Sequence, residues 1–314
     1  MALWPAVSGN AINGLGKQDC DRPSPVYWHD PDQTPHGPLQ RWFYARSAGN
    51  PLLAEARAYR QKTIDAPLSP LSDQIVERPA AEWSELVKQA AGRLGADCEG
   101  IARMRPEWVF EGYAVSHLWI IMIGVAHDYD QLKTAPEATA AAEVIRQYAR
   151  GNQTAKGLAS WIRERGHDAV PHGGPMAGPV LLIPPALACG FGELGKHGSI
   201  IHRELGASFR LASVLTDLPL LPDAADRFGA DEFCLHCRVC SDACPPDAIS
   251  PAKVQVRGSV KWYVDFDKCL PYFNETMGCG ICLAVCPYSR PGVTHNLVAK
   301  SSVRWPATPD PPPP

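Results

Sequence analysis

The chain has 314 residues, of which 45% are hydrophobic, and its 30 basic and 33 acidic residues leave a formal net charge of −3. This length is enough for about two domains, and a near-neutral chain without a basic stripe gives no indication of nucleic-acid binding. The first residues, MALWPAVSGNAING, contain neither a twin-arginine pair nor an apolar signal core, and the longest apolar run, 117–126, is about half as long as a bilayer span. We therefore expect a cytoplasmic protein that does not enter a membrane.

Residues 1–70 are rich in Pro, Gly, Asp and Asn, with scattered aromatic side chains. The composition is too polar for this segment to build a core of its own, while its aromatic residues argue against a free tail. We expect an N-terminal arm that wraps over the main domain. The alternative is a lid over a ligand.

Residues 71–230 are predicted to form the main domain, in which helices and strands alternate. Apolar spacing predicts helices over 80–94 and 135–165, the second with a kink or break at Gly151-Asn152 and a C-terminal cap at Gly166. The other predicted elements are a short strand after residue 95, a strand over 117–126 covered on both faces, a strand over 167–171, a pocket-lining loop over 171–179, an apolar run over 180–188 and a strand over 208–220.

Eight of the eleven cysteines fall into two spaced runs, over 234–245 and 269–287. The first run is C-x2-C-x2-C-x3-C-P, the spacing of bacterial iron–sulfur proteins, and the second repeats it with its first cysteine moved upstream. In proteins with two such clusters, the cysteine before the proline binds the other cluster. The pattern predicts two [4Fe-4S] clusters, one held by Cys234, Cys237, Cys240 and Cys286, the other by Cys244, Cys269, Cys279 and Cys282. The module should occupy 231–290, with a strand and turn over 261–269. A Pro-rich tail over 291–314, extended or disordered, should follow it.

Zinc and disulfides are the alternatives for these cysteines. Zinc sites use paired C-x2-C knuckles with a longer spacer, which two C-x3-C-P runs do not match. Disulfides require an oxidising compartment. The remaining Cys20, Cys98 and Cys189 are interpreted as ordinary thiols.

Two clusters deliver single electrons, so the main domain should hold an acceptor. Gly190-Phe-Gly192-Glu-Leu-Gly195 matches the letters of a dinucleotide-binding loop, but no acidic residue about twenty positions later completes a βαβ unit. A nucleotide site is therefore not supported.

The chain resembles the cobalamin-dependent reductive dehalogenases and the related epoxyqueuosine reductases. The resemblance rests on VAHDYDQLKTAPEA (125–138), on the segments 145–173 and 191–220, and on the two cysteine runs with the widened first spacing of the second. It implies an α/β (α+β), nitroreductase-like core that holds base-off cobalamin, with a C-terminal ferredoxin-like module carrying the two [4Fe-4S] clusters. None of the ten histidines stands in the Asp-x-His-x-x-Gly loop of proteins that ligate cobalt from below, which is compatible with base-off binding.

The resemblance also implies an active site with a tyrosine proton donor and an arginine that stabilises its phenolate. Tyr148 and Arg210 lie in the matching segments, and His172 is a candidate for the polar residue between them. A guanidinium beside a phenol makes the phenol a better acid. A core aromatic residue for Tyr148 and a structural ion pair for Arg210 are the alternatives. Gly173, Gly192, Gly195 and Gly198 are candidate cofactor-binding positions.

Two departures from the family patterns matter. Where dehalogenases carry Asn or Lys after the tyrosine helix, this chain offers His172-Gly173-Gly174. Where epoxyqueuosine reductases have an essential aspartate, the chain reads Gly151-Asn152-Gln153-Thr154, which argues against the tRNA-modifying reaction.

The leading hypothesis is a cytoplasmic reductase in which electrons pass through both clusters to cobalt to cleave the carbon–halogen bond of a small organohalide. The shortness of the chain predicts that a separate ferredoxin or flavodoxin supplies the electrons. The alternatives are a cobalamin-dependent reductase acting on another bond, a corrinoid reductase, and a non-catalytic electron-transfer protein.

Overall fold

The computed structural model describes residues 4–175 and 178–305. The strands are β1 (Cys98–Arg103), β2 (Trp119–Ala126), β3 (Ala169–Gly173), β4 (Glu193–Leu194), β5 (Ile200–Ile201), β6 (Phe209–Thr216), β7 (Val254–Val256) and β8 (Ser259–Lys261). The α-helices are α1 (Gly9–Ile12), α2 (Gly37–Arg46), α3 (Pro51–Asp65), α4 (Ala80–Arg93), α5 (Tyr129–Leu132), α6 (Ala138–Arg163), α7 (Ile183–Ala188), α8 (Ala230–His236), α9 (Val239–Asp242), α10 (Phe266–Glu275), α11 (Ile281–Ala284) and α12 (Thr294–Arg304).

The core is a four-stranded sheet in the order β1-β2-β6-β3, in which every neighbouring pair is antiparallel. β2 is apolar at every position because both of its faces are covered, as predicted. Ile121, Ile123 and Val125 pack in one buried cluster with α4 and α6, while Ile120 and Met122 pack in a second cluster with the α7 segment. The architecture is a mixed α/β fold of the α+β kind, since the sheet is wholly antiparallel.

The predicted helix over 80–94 is confirmed as α4, and the helix over 135–165 is confirmed as α6. The predicted break at Gly151-Asn152 is wrong, because α6 runs through it. A Cβ at Gly151 would lie 3.3 Å from Cβ of Ala212 on β6, so this glycine lets the helix pack closely on the sheet. Gly166 has the left-handed conformation expected after the helix, with φ of +81°.

The strands after the helix differ slightly from prediction. β3 begins and ends two residues later than expected, so the predicted loop over 171–179 starts as strand. Part of that loop, residues 176–177, lies outside the described residues.

The N-terminal segment is more helical than an arm would require. Asn50 caps the start of α3, where its side chain accepts hydrogen bonds from the backbone of Leu52 and Leu53. The helix packs along α6 through Leu53 and Ala56. α2 packs against α10, where the rings of Phe43 and Phe273 stack with centroids 5.5 Å apart. The segment therefore contacts both the core and the cysteine-rich region.

Two predictions near the C-terminus are wrong. The predicted turn before Cys269 is helix α10, which begins after Asp265, whose carboxylate accepts from the Lys268 N–H. The predicted extended tail contains helix α12, held by the buried Val298 against the module. Residues 306–314, which include the proline run, lie outside the described residues. In the part of the chain that is described, no helix is long and apolar enough to cross a membrane.

Candidate cofactor site between the core and the cysteine module

The first predicted group of cysteines converges in the structure. Cys234 lies in α8, Cys237 caps that helix, Cys240 lies in α9 and Cys286 follows α11. Burial raises the pKa of Cys234, and the neighbouring thiols of Cys286, Cys240 and Cys237 raise it further. Burial likewise raises the pKa of Cys286 to about 12, with Cys240 and Cys237 among its neighbours. These four thiols therefore lie within electrostatic range of one another.

The second predicted group also converges. Burial raises the pKa of Cys269 to about 11, and the thiols of Cys279 and Cys244 add to the shift. Burial raises the pKa of Cys282, followed by the effects of Cys279 and Cys269. Cys282 also has Cys240 of the first group as a neighbour, so the two groups adjoin. Each group thus brings its thiols near one another, and the binding of one cubane cluster by each group stays a prediction.

A cavity of about 490 Å³ lies between the core and this module. The core supplies Leu181, Ile183, His197, Gly198 and Arg210 to its wall, and the module supplies Cys244, Cys269, Cys279, Cys282, Arg257, Lys261 and Tyr263. All four cysteines of the second group border the cavity, so it includes space that a cluster on these thiols would occupy, and any further molecule would lie beside that cluster.

Two residues that line this cavity each carry a buried nitrogen atom with no hydrogen-bond partner among the described residues. These atoms are Nε of Arg210 and Nε2 of His197. Burial lowers the pKa of His197 to about 4, so its imidazole is neutral near pH 7. Buried polar atoms are almost always hydrogen-bonded, and a bound molecule rich in amides would satisfy both. Unpaired polar atoms beside a largely apolar wall are compatible with a bound cofactor that carries polar groups, and cobalamin binding here stays a prediction.

A smaller pocket of about 190 Å³ contains Tyr148. Arg210 and Ile183 line both this pocket and the larger cavity, so the two adjoin. The guanidinium carbon of Arg210 lies 5.4 Å from the centroid of the Tyr148 ring. A Cβ at Gly174 would come within 2.4 Å of Cε1 of Tyr148, so the glycine allows the loop to pack against the ring.

Two residues of the N-terminal segment, which the sequence did not indicate, approach Tyr148. Arg60 donates from Nε to the Gly174 carbonyl at 3.3 Å. Burial lowers the pKa of Arg60, against the opposing effects of Tyr44 and Tyr148. Burial also raises the pKa of Tyr44, with Arg60 and Arg57 opposing it and Tyr148 adding to it. Arg57 and Arg60 are three residues apart and lie on one face of α3. This spacing is the sequence signal that could have indicated a basic wall on this side of the pocket.

His172 lies on β3 opposite Ser213, and it does not line either of the two cavities. Burial lowers its pKa to about 4, and the charge of His117 lowers it further. Its Nε2 has no partner among the described residues. A role for His172 in the reaction stays a prediction.

Of the four glycines predicted to bind the cofactor, one lines the larger cavity. Gly198 lines the larger cavity with φ of +75°. Gly192 has φ of +103°, and a Cβ there would lie 2.1 Å from the Ile201 carbonyl oxygen, so it is required by the β4–β5 hairpin. A Cβ at Gly195 would meet the His197 ring, and one at Gly173 would meet Asn152. Cofactor binding by these glycines stays a prediction.

Asn152 is a structural residue. It is buried, and its Nδ2 donates to Oγ1 of Thr63 at 3.1 Å, which ties α6 to α3.

Comparison with known proteins agrees with this architecture. Residues 233–289 match a 4Fe-4S dicluster domain. A tetrachloroethene reductive dehalogenase from Desulfitobacterium hafniense is 31% identical over 240 residues, which cover 72% of this chain and 42% of that protein. An epoxyqueuosine reductase from Leadbetterella byssophila is 31% identical over 139 residues, covering 38% of this chain and 41% of that protein.

A solved reductive dehalogenase, whose structure is described as suggesting a mechanism for B12-dependent dehalogenation, has a TM-score of 0.75 and 25% identity, and the match covers 85% of this chain and 41% of that chain. Fold and cysteine module together define an iron–sulfur protein with a mixed α/β core. More particularly, the chain is a homologue of the reductive dehalogenases and a relative of the epoxyqueuosine reductases. The predicted resemblance and fold class are confirmed. The chain spans about two fifths of the length of the tetrachloroethene reductive dehalogenase.

Proposed function

We propose that this chain is the catalytic part of a cobalamin-dependent reductive dehalogenase. The reaction converts an organohalide, two electrons and one proton into the hydrogenated product and a halide ion. The observation that carries the proposal is the position of Arg210, which lines both the cavity beside the second cysteine group and the pocket that holds Tyr148. Arg210 would therefore border both the place where electrons enter and the place where the proton is delivered.

Cobalamin in the larger cavity would be contacted by His197, Gly198 and Arg210 from the core and by Arg257 and Lys261 from the module. When bound, it supplies a reducible cobalt centre at which a carbon–halogen bond can be cleaved. We propose the base-off form because the resemblance to the reductive dehalogenases implies it, and the absence of an Asp-x-His-x-x-Gly loop is compatible with it.

Tyr148 is proposed to donate its phenolic proton to the carbon that loses the halide. The phenolate left behind carries a negative charge, which Arg210 at 5.4 Å from the ring centre would stabilise. Arg60, within electrostatic range of the same phenol, would add to this effect. The small size of the pocket, about 190 Å³, suits a small organohalide.

The clusters are proposed to be held by the two groups of four cysteines and to receive electrons from a ferredoxin or flavodoxin-type donor. We further propose the cytoplasm as the compartment. All eleven cysteines, each in the described part of the chain, are free of disulfides, and free thiols and iron–sulfur clusters persist in reducing surroundings.

Cofactor analysis of the protein tests this proposal. Anaerobic production with cobalamin supplied, followed by cluster reconstitution, should yield about eight irons and one cobalt per chain. Eight irons without cobalt, after repeated incubation with corrinoid, would contradict cobalamin dependence and favour an electron-transfer protein. Cobalt binding without halide release from any organohalide tested would favour reduction of another bond.

A further inference from the structure

The side chain of Lys196 is a buried cation beside the first cysteine group. It follows β4 and is only 2% exposed. Its Nζ donates to the carbonyl oxygen of Cys237 at 2.8 Å and lies 5.0 Å from the centroid of the Trp262 ring. Burial of an ammonium group is costly unless an anion compensates it. The buried ammonium group of Lys196 therefore requires an anion close by.

No carboxylate in the described part of the chain forms an ion pair with Lys196. The acid that binds the same tryptophan is Asp231, which accepts from Nε1 of Trp262 at 2.7 Å. The other oxygen of Asp231 accepts from Lys253 at 2.5 Å, so this carboxylate is already matched by a cation. The charge of Lys196 thus remains uncompensated by described protein groups.

The groups that do surround Lys196 are cysteines. The backbone of Lys196 adjoins Cys234, and its ammonium group lies within electrostatic range of Cys240. With the Cys237 carbonyl, Lys196 is therefore close to three of the four residues in this group.

We propose that Lys196 is the counter-charge of the first [4Fe-4S] cluster and that it raises the reduction potential of this cluster. A cubane with four thiolates is anionic, and it gains one further negative charge when it takes up an electron. A cation close by stabilises the reduced form more than the oxidised form, and burial leaves the interaction poorly screened by solvent. Net charge and hydrogen bonds near the sulfurs are recognised determinants of cluster potentials.

The inference rests on the cluster-binding part of the proposed function and not on dehalogenation. Lys196 acts on the cluster, and it does not line the pocket that holds Tyr148. A failure of halide release would leave the inference standing, while a measured cluster potential tests it directly.

The test is a redox titration of the cluster-loaded protein, followed by electron paramagnetic resonance. Lys196→Met should make the first cluster harder to reduce by about tenfold in the equilibrium constant, which is about 59 mV for a one-electron couple. The second cluster should be unchanged. Lys196→Arg, which keeps the charge, should restore most of the potential.

Lys253→Met is the matched control. Lys253 also lies near the Trp262 ring, at 5.5 Å from its centroid, but it is paired with Asp231. Its replacement removes the same charge at a residue that hydrogen-bonds Asp231 instead of Cys237, so it should change the potential of the first cluster less than Lys196→Met does. If Lys196→Met fails to retain its iron, Lys196→Gln decides the question, because the amide can still donate to the Cys237 carbonyl without carrying a charge. Wild-type potentials for both clusters in an iron-replete, uncharged variant would overturn the proposal.

Discussion

The guanidinium of Arg210 on β6 lies over the ring of Tyr148 on α6, 5.4 Å from its centroid. The two residues are 62 positions apart in the sequence, and the packing of α6 on the sheet brings them together. Because Arg210 also borders the cavity beside the cysteines, this contact joins the two halves of the proposed site.

Replacement of Tyr148 by phenylalanine should abolish most of the reductive activity and leave cofactor content unchanged. General acid catalysis contributes about 10²–10⁴-fold, so a loss of at least about 100-fold is expected. Steady-state halide release measures it. Tyr59→Phe is the control, since Tyr59 is 41% exposed on α3 and lines neither cavity. Similar losses in both variants would show that Tyr148 is structural.

Replacement of Arg210 should distinguish charge from geometry. Arg210→Gln removes the charge that stabilises the phenolate, while Arg210→Lys keeps a charge but loses the planar group that lies over the ring. We expect Arg210→Lys to retain more activity than Arg210→Gln, as measured by steady-state halide release. Equal activities of the two variants at equally reduced stability would instead indicate a structural role for Arg210.

Single cysteine replacements should remove one cluster at a time. Cys286→Ser is expected to lower the iron content by about half and to affect the cluster of Cys234, whereas Cys269→Ser should affect the other. Paramagnetic resonance of the reduced protein separates the two signals. Cys20→Ser is the control, because this thiol is exposed and lies outside both groups. Loss of the same signal in both cluster variants would refute the assignment.

His172 should make the stability of the protein depend on pH. Its folded-state pKa of about 4 lies below the ordinary value of 6.5 because of burial, so the unfolded chain takes up a proton first as the pH falls. The free energy of unfolding should fall by about 1.4 kcal/mol between pH 7.5 and 5.5 from this group alone. Denaturant unfolding of His172→Gln and of the wild type at several pH values isolates the contribution of His172, because acid affects the clusters of both proteins alike. An equal dependence of the unfolding free energy on pH in both proteins would show that His172 does not cause it.

The sequence predicted those elements whose signal is local. The uniformly apolar β2, the spaced apolar face of α4 and the cysteine spacing each reflect a repeated physical requirement that can be recognised in a short segment. Tyr148 and Arg210 were indicated only through a resemblance, because neither residue is unusual in its own segment.

The wrong predictions of secondary structure arise where tertiary contacts or a helix cap override the local conformational preference of the residues. Gly151 resembles a helix breaker, yet it permits close packing on Ala212 and stays helical. The aromatic and β-branched residues before Cys269 suggested a strand and turn, whereas the Asp265 cap begins a helix. The groups that Arg60 and Lys196 approach are far away in sequence, so nothing in their neighbourhoods could have identified those partners.

The most direct test of the central claim is a count of electrons, halide and hydrogen. The cobalamin- and cluster-loaded protein would be reduced, mixed with one organohalide in D₂O, and its products quantified. The account predicts one halide ion and one deuterium atom in the product for every two electrons consumed, with the yield collapsing in Tyr148→Phe. Consumption of electrons without halide release, across a panel of chlorinated and brominated substrates, would contradict it.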